Sequence, residues 1–365
     1  MYLLFPEDSG RICRQQPIGG HHECEIFPGR EQEAVESAHM SQMCEKNPGH
    51  DNFISPQEFL DTFITTLESE EKYQLYKSLI DFTVRLRMHC TSLDRPDDDA
   101  FADYRGTPRM RMGTGFIRRV QQLKQSEPCC CDVCHGKVPM NQLGFEVHTA
   151  RHVVFNMEEA KRTKVDLFYD DASCLSNGRM KSVWVMGMVE SQSDKDWCNM
   201  WCVTCDEGLG KRIEAAANKN FIHLNHRDLI DLGLLSPSTK VCKPVLIISH
   251  PHGQPKKVTI GEIKSKYKVG ESHRIQYNCP TCPGSSGATV FAFIDSVGGF
   301  MSFHYFLHQA VHSGSYGKRD ENNQLNFCQR FLNTLRGKKL ALQQLNYGFA
   351  DLHLYGKRWG QQPQG

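Results

Sequence analysis

A chain of 365 residues is long enough for one enzyme-sized domain of about 200 to 250 residues plus an extension. Apolar residues at 39% and charged residues at 23% are ordinary for a globular protein, and 43 Lys and Arg against 42 Asp and Glu leave a formal net charge of +1. With that balance and no dense basic block, nucleic acid and anionic membrane are poor candidate partners.

The N-terminal apolar run Tyr2-Leu3-Leu4-Phe5 is cut off by Pro6, Glu7 and Asp8, too soon for the apolar core of a signal peptide. No stretch approaches the ~20 apolar residues of a membrane helix. The expectation is a soluble cytoplasmic chain. Its 16 cysteines should then be thiols or metal ligands. Two C-x-x-C pairs, Cys131/Cys134 and Cys279/Cys282, have the knuckle spacing that tetrahedral zinc favours, because each supplies two thiolates from one tight turn. Buried free thiols are the alternative reading, and no other cofactor is called for.

In chain order, residues 1 to about 30 lack periodicity and read as a mobile lead-in. Ala34, Val35, Ala38 and Met43 fit a helix over 31–45. Ser55-Pro56-Gln57-Glu58 is a capping box with Pro at the first helical position, and Phe59, Leu60, Phe63, Ile64 and Leu67 follow at helical spacing. Between these helices, Asn47 to Glu58 resembles an EF-hand loop, with Ile54 and Glu58 in place. Gly49 stands where an oxygen ligand belongs and Asn52 where the sharp turn wants glycine, so calcium is not expected. Tyr73, Tyr76, Leu79 and Ile80 predict a further helix, and alternating Val84, Leu86 and Met88 a strand.

An Asp-, Pro- and Gly-rich stretch, 91–108, reads as a linker closing a helical extension of residues 1–90. From 109 to about 320, short apolar runs such as Phe145–His148, Val183–Val189 and Val245–Ser249 alternate with turn residues, the pattern of a β-barrel or sandwich. Leu325, Phe327, Phe331, Leu332 and Leu335 suggest a C-terminal helix and tail over 321–365.

The chemistry concentrates in that β-region. Gly284-Ser285-Ser286-Gly287 is a Gly-x-Ser-Gly turn that would turn two backbone N–H groups inward beside a serine hydroxyl. A serine needs a base to activate it. Thr149-Ala150-Arg151-His152 offers one, and resembles the Thr-Ala-x-His segment of trypsin-like peptidases. Gly113-Thr114-Gly115-Phe116, the run Val245–Gly253 followed by Val258-Thr259-Ile260-Gly261, and Ala310-Val311-His312-Ser313-Gly314 resemble, in the family's order, further segments of its intracellular Deg/HtrA-type branch.

The middle of the chain is therefore similar to a trypsin-like serine peptidase. The resemblance implies a mainly β fold of two six-stranded chymotrypsin-type barrels, with the helical extension before and the C-terminal helix after. It implies His152 as general base, Ser286 as nucleophile, the amides of Gly284 and Ser286 as oxyanion hole, and His312, Ser313 and Gly314 lining the specificity pocket, with peptides or proteins as substrates. His312 in that pocket would favour a hydrogen-bonding or acidic side chain over Lys or Arg. For the acid, Asp206 fits best at the end of an apparent strand, although Glu207, Gly208 and Gly210 spoil the usual continuation; Asp194, Asp196 and Asp228 are the alternatives. An inactive pseudoprotease acting as a binding module is the other reading.

Overall fold

The computed structural model describes residues 20–29, 32–61, 70–123, 142–193, 196–217, 244–269, 272–295, 305–320 and 323–330. Two short strands open it, β1 (Gly20–His21) and β2 (Glu25–Ile26). The helices α1 (Glu33–Gln42), α2 (Pro56–Phe59) and α3 (Glu70–Phe82) follow. Ser55 caps α2 as its sequence predicts, its Oγ accepting from the Glu58 N–H at 3.2 Å.

The first barrel comprises β3 (Thr83–Met88), β4 (Arg111–Leu123), β5 (Gln142–Thr149), β6 (Thr163–Leu167), β7 (Lys181–Gln192) and β8 (Trp197–Thr204). These pair antiparallel in the order β4-β3-β6-β7-β8-β5, and β5 returns to β4. Alternation puts Val84, Leu86 and Met88 of β3 inside with Phe116, Phe145, Val147, Val165 and Met200. The short helix α4 (Met157–Lys161) and α5 (Glu207–Ala217) flank it, α5 burying Leu209, Ile213 and Ala216 along one stripe.

The second barrel comprises β9 (Pro244–Ser249), β10 (Lys257–Val269), β11 (Ser272–Tyr277), β12 (Thr289–Asp295), β13 (Tyr305–Asp320) and β14 (Asn323–Arg330). Its order is β13-β12-β9-β10-β11-β14, with β14 back on β13. Val245, Ile247, Ile275, Tyr277, Ala288 and Val290 fill its interior. Phe116 and Phe291 meet edge to face at 5.5 Å where the barrels join. This is the paired-barrel, chymotrypsin-type architecture that the sequence implies.

The boundaries differ from the sequence reading. The barrels begin at Thr83, not 109, because β3 is a full member of the first barrel. Residues 91–108 are no free linker: Thr91, Ser92, Arg95 and Phe101 are buried against it. At the other end, Leu325 and Phe327 lie in β14 rather than in a helix, since that strand is needed to close the second barrel. Residues 331–365 lie outside the described residues.

The lead-in reading also fails for residues 20–29. β1 joins the edge of β13, with Gly20 opposite Tyr316 and His21 opposite Ser315. β2 joins β4 of the other barrel, with Glu25 opposite Met112 and Ile26 opposite Arg111. The segment therefore bridges the cleft between the barrels.

Candidate active site

His152 lies in the turn after β5. Its Nδ1 is 2.7 Å from Asp196 Oδ2, and its backbone N–H donates to Asp196 Oδ1 at 2.9 Å. Ser313 Oγ donates to the same Oδ2 at 2.8 Å. Burial pushes the His152 imidazole down to about 4, and the Asp196 charge opposes that without cancelling it. Burial would raise the Asp196 carboxyl, but the adjacent imidazole and its hydrogen bonds hold it below the usual carboxylate range. With Nδ1–H donated to Asp196, Nε2 carries the lone pair; it is buried and has no hydrogen-bond partner.

Asp196, one of the alternatives, thus stands against His152 where Asp206 was expected first. Asp206 stands at the N-terminus of α5, its Oδ1 accepting from the Leu209 N–H at 2.9 Å. The residues that spoil the motif there, Glu207, Gly208 and Gly210, are the first turn of a helix. Asp194 and Asp228 lie outside the described residues.

Sequence reasoning missed what backs the His152 turn. Glu159 is fully buried between Arg95 and Arg111: its carboxylate takes 2.7 Å bonds from Arg95 Nε and Nη2 and a 2.8 Å bond from Arg111 Nη2. The two guanidinium groups then donate outward, Arg95 to the His152 carbonyl at 3.0 Å and Arg111 to the Val153 carbonyl at 2.9 Å. Burial would raise the Glu159 carboxyl, but the arginines bring it down to about 2. One signal was present: Arg95 and Arg111 flank a stretch that reads as loop, and a buried arginine demands a carboxylate.

Ser286 sits in the turn before β12, and that turn is held from the other barrel. The Thr114 N–H donates to the Ser286 carbonyl at 2.8 Å, and Thr114 Oγ1 donates to the Gly284 carbonyl at 2.8 Å. Thr114 Oγ1 also accepts from the His250 N–H at 3.0 Å. Gly287 has φ +85°, and a Cβ there would collide with Thr149 Oγ1 and the Thr114 carbonyl. Gly284, at φ +95°, has the His250 carbonyl in the same position. Both must be glycine.

The cleft holds residues 21–25. The Glu23 carbonyl oxygen accepts from the Gly284 N–H at 2.6 Å and the Ser286 N–H at 3.1 Å, so the two predicted oxyanion amides converge on one carbonyl. The Glu23 N–H donates to Ser286 Oγ at 2.8 Å. Its carboxylate enters the pocket where the sequence places His312: His312 Nε2 is 2.7 Å away, Ser315 Oγ donates at 2.9 Å, and Lys46 Nζ forms an ion pair. The Tyr277 hydroxyl lies 2.6 Å from His312 Nδ1 and orients the ring. Burial would raise the Glu23 carboxyl, but Lys46 and His312 hold it below the usual carboxylate range. Upstream, the His22 ring stacks on His152 with centroids 3.9 Å apart, and His22 Nδ1 donates to the Ser313 carbonyl at 2.8 Å. Gly314 continues β13 beside them.

Of the expected zinc set, Cys279 and Cys282 are described, and their thiols have different neighbours. Cys279 Sγ donates to the Val245 carbonyl at 3.3 Å inside the second barrel, whereas Cys282 faces away from it, toward Cys44 at 3.6 Å. The C-x-x-C pair lies beyond the end of β11 and its two thiols fall in different clusters, and Cys131 and Cys134 lie outside the described residues. In the EF-hand-like loop, Asn47 Nδ2 donates to the Thr281 carbonyl at 2.9 Å and Ile54 forms a two-bond bridge with Val258, so this loop is committed to the second barrel.

No family model matches the sequence, and none of the curated proteins is similar to it. Among solved structures, the chain is similar to the Rv3671c protease from M. tuberculosis in its active form, with 11% identity and a TM-score of 0.35 over 70% of this chain and 78% of that one. It is also similar to the HtrA-type protease AlgW with decapeptide, with 14% identity and a TM-score of 0.36 over 79% and 69% of the respective chains. Of AlgW with tripeptide it covers 62%. Likenesses this distant bear on no residue of the site. No helix among the described residues is long and apolar enough to cross a membrane.

Proposed function

We propose that this chain is a serine endopeptidase that cleaves peptides or proteins after glutamate. The observation that carries the reading is Glu23: its carbonyl accepts from the amides of Gly284 and Ser286 while its carboxylate meets His312, Ser315 and Lys46. Ser286 Oγ would add to the carbonyl carbon, His152 Nε2 would take its proton, and Asp196 would keep the imidazole in the right tautomer and stabilise its cation. The two amides face the developing oxyanion. Three donors converging on one buried carboxylate select an acidic side chain, because a lysine there would face the Lys46 ammonium as a like charge. Nine described cysteines are free thiols, which supports work in a reducing compartment such as the cytoplasm.

The pseudoprotease reading has one observation in its favour. Ser286 Oγ accepts the Glu23 N–H, and His152 Nε2 has no partner. A hydroxyl can accept one hydrogen bond and donate another, so the endopeptidase reading requires Ser286 Oγ to turn its proton toward His152 Nε2.

The test frees the cleft first. In Glu23→Lys, a fluorophosphonate should label Ser286 and peptides bearing Glu before the cut bond should be hydrolysed at least ~100-fold faster than their Lys counterparts. Adding Ser286→Ala should abolish both. Equal labelling of the two proteins, or labelling of neither, removes the reading.

A further inference from the structure

The peptide in the cleft belongs to the chain itself. On one side His21 is paired with Ser315 of β13, and on the other Glu25 is paired with Met112 of β4. Between them the Glu23 carbonyl rests on both oxyanion amides, so the bond offered to Ser286 is the one joining Glu23 to Cys24. A strap that only covered the cleft would need none of this. Here the backbone is paired on both sides of one bond, the pocket is filled by the side chain it fits, and His22 covers His152.

We propose that Ser286 cleaves the Glu23–Cys24 bond of its own chain, which rests on the endopeptidase reading above. Ser286 Oγ adds to the Glu23 carbonyl carbon and its proton passes to His152 Nε2. The C–N bond breaks, and that proton leaves on the Cys24 amine. Water then adds to the ester, a proton returns through His152 to Ser286 Oγ, and Glu23 departs as a carboxylate. The products are residues 1–23 and 24–365. Tethering holds the substrate at an effective concentration of about millimolar or above, so free peptides compete poorly until the cut is made.

The experiment incubates the purified full chain at two concentrations tenfold apart, with intact mass and N-terminal sequencing over time. The expected result is a new terminus reading Cys24-Glu25-Ile26, formed at a first-order rate equal at both concentrations. Ser286→Ala should stay whole, Glu23→Gln should be cut at least ~10-fold more slowly and Glu23→Lys at least ~100-fold more slowly. A wild type that stays intact while Glu23→Lys labels with fluorophosphonate overturns self-cleavage and leaves the endopeptidase reading standing. If neither happens, both fall. A rate that scales with concentration overturns cleavage within one molecule.

A separate observation carries a second inference. One ligand atom from each of Cys44, His50, His252 and Cys282 lies within 4.8 Å of all the others. Zinc bonds of about 2.3 Å to sulfur and 2.0–2.1 Å to nitrogen place tetrahedral ligand edges near 3.8 Å for S–S and 3.6 Å for S–N. The Cys44–Cys282 sulfurs are 3.6 Å apart without a disulfide, and Cys282 Sγ is 3.4 Å from His50 Nε2. His252 Nε2 is buried with no hydrogen bond, while its Nδ1 is held by Glu25 Oε2 at 2.6 Å, the carboxylate support typical of a ligating histidine.

We infer that these four side chains bind one zinc ion, both cysteines losing their protons to solvent. The ion would tie the 44–50 loop to the Ser286 turn, since Cys282 lies four residues before the serine. It would also fix Lys46, which stands between two ligands, over the Glu23 pocket. Elemental analysis of the full chain, purified without chelator, should find one zinc per chain and almost none in Cys44→Ser/Cys282→Ser. Stripping the metal from the wild type should lower Tm by more than about 5 °C. A wild type that takes up no zinc from zinc chloride, a double variant that keeps it, or a Cys44–Cys282 disulfide found by mass mapping would each overturn the assignment.

Discussion

The two barrels hold their halves of the site by different means. The first carries His152 on a turn braced from inside by Glu159, Arg95 and Arg111, all buried and all supplied by residues 95–159. The second carries Ser286 on a turn braced from outside, by Thr114 of the first barrel, by the Glu23 backbone and by the loop around Cys44 and Asn47. The His152 turn is therefore held mainly from its own barrel, with Ser313 of the second reaching Asp196, whereas the Ser286 turn also leans on the N-terminal segment and on Thr114 of the first barrel.

The sharpest way to break this comparison is at the acid. Asp196→Asn should lower kcat by about 10⁴-fold, because the amide cannot hold the imidazole in the tautomer that accepts a proton at Nε2. Asp206→Asn should leave kcat within a factor of a few, its loss confined to the helix cap. Peptide hydrolysis by both variants, in a chain whose cleft has been freed, decides between them; a large loss at Asp206 would reverse the assignment.

The next largest effect tests the internal brace. Glu159→Ala leaves two buried guanidinium groups without their anion, and should cost about 3–5 kcal/mol in chemical denaturation. Since Glu159 titrates at about 2 in the fold against an ordinary value near 4.3, its contribution is complete above that ordinary value and is lost as pH falls toward 2. The external brace is weaker. Thr114→Val removes the donor to the Gly284 carbonyl and should reduce kcat about 10- to 100-fold, with a stability loss of about 1–3 kcal/mol. If Thr114→Val destabilised the fold as much as Glu159→Ala, the contrast between the braces would vanish.

The same contrast explains what the sequence could reveal. His152 and Ser286 are local: Thr149-Ala150-Arg151-His152 and Gly284-Ser285-Ser286-Gly287 each carry their own turn chemistry, and Gly284 and Gly287 take the positive φ that turn glycines supply. The strand patterns were legible for the same reason, as at Val84, Leu86 and Met88. Asp196 was not singled out because its place is set by register. Pairing of Thr149 with Cys198 puts residue 196 beyond the end of β8, alongside His152, and register is invisible in one strand alone. Cys44 and Cys282 are 238 residues apart. Glu23 lay hidden for a further reason: it acts as a ligand of the fold, and a bound peptide needs no periodicity.

The smallest effect expected is a shift in pH dependence, and it bears on the N-terminal segment. His152 titrates at about 4 while the segment lies in the cleft. The groups facing it are Asp196, which favours its cation, and His22 and Arg95, which disfavour it, on top of burial. A depressed imidazole is neutral, and so able to act as a base, at every pH above its own value; activity is lost as pH falls through that value. Self-cleavage should therefore hold its rate down to about pH 4. Once residues 1–23 leave, His22 no longer covers the ring, water reaches it, and its value should rise toward the ordinary ~6.5. Hydrolysis of added peptide by the cleaved chain should accordingly lose activity at a higher pH than self-cleavage does. Acid limbs that coincide would mean that His22 adds nothing to the burial of the base, and that the segment lies over the site without altering its chemistry.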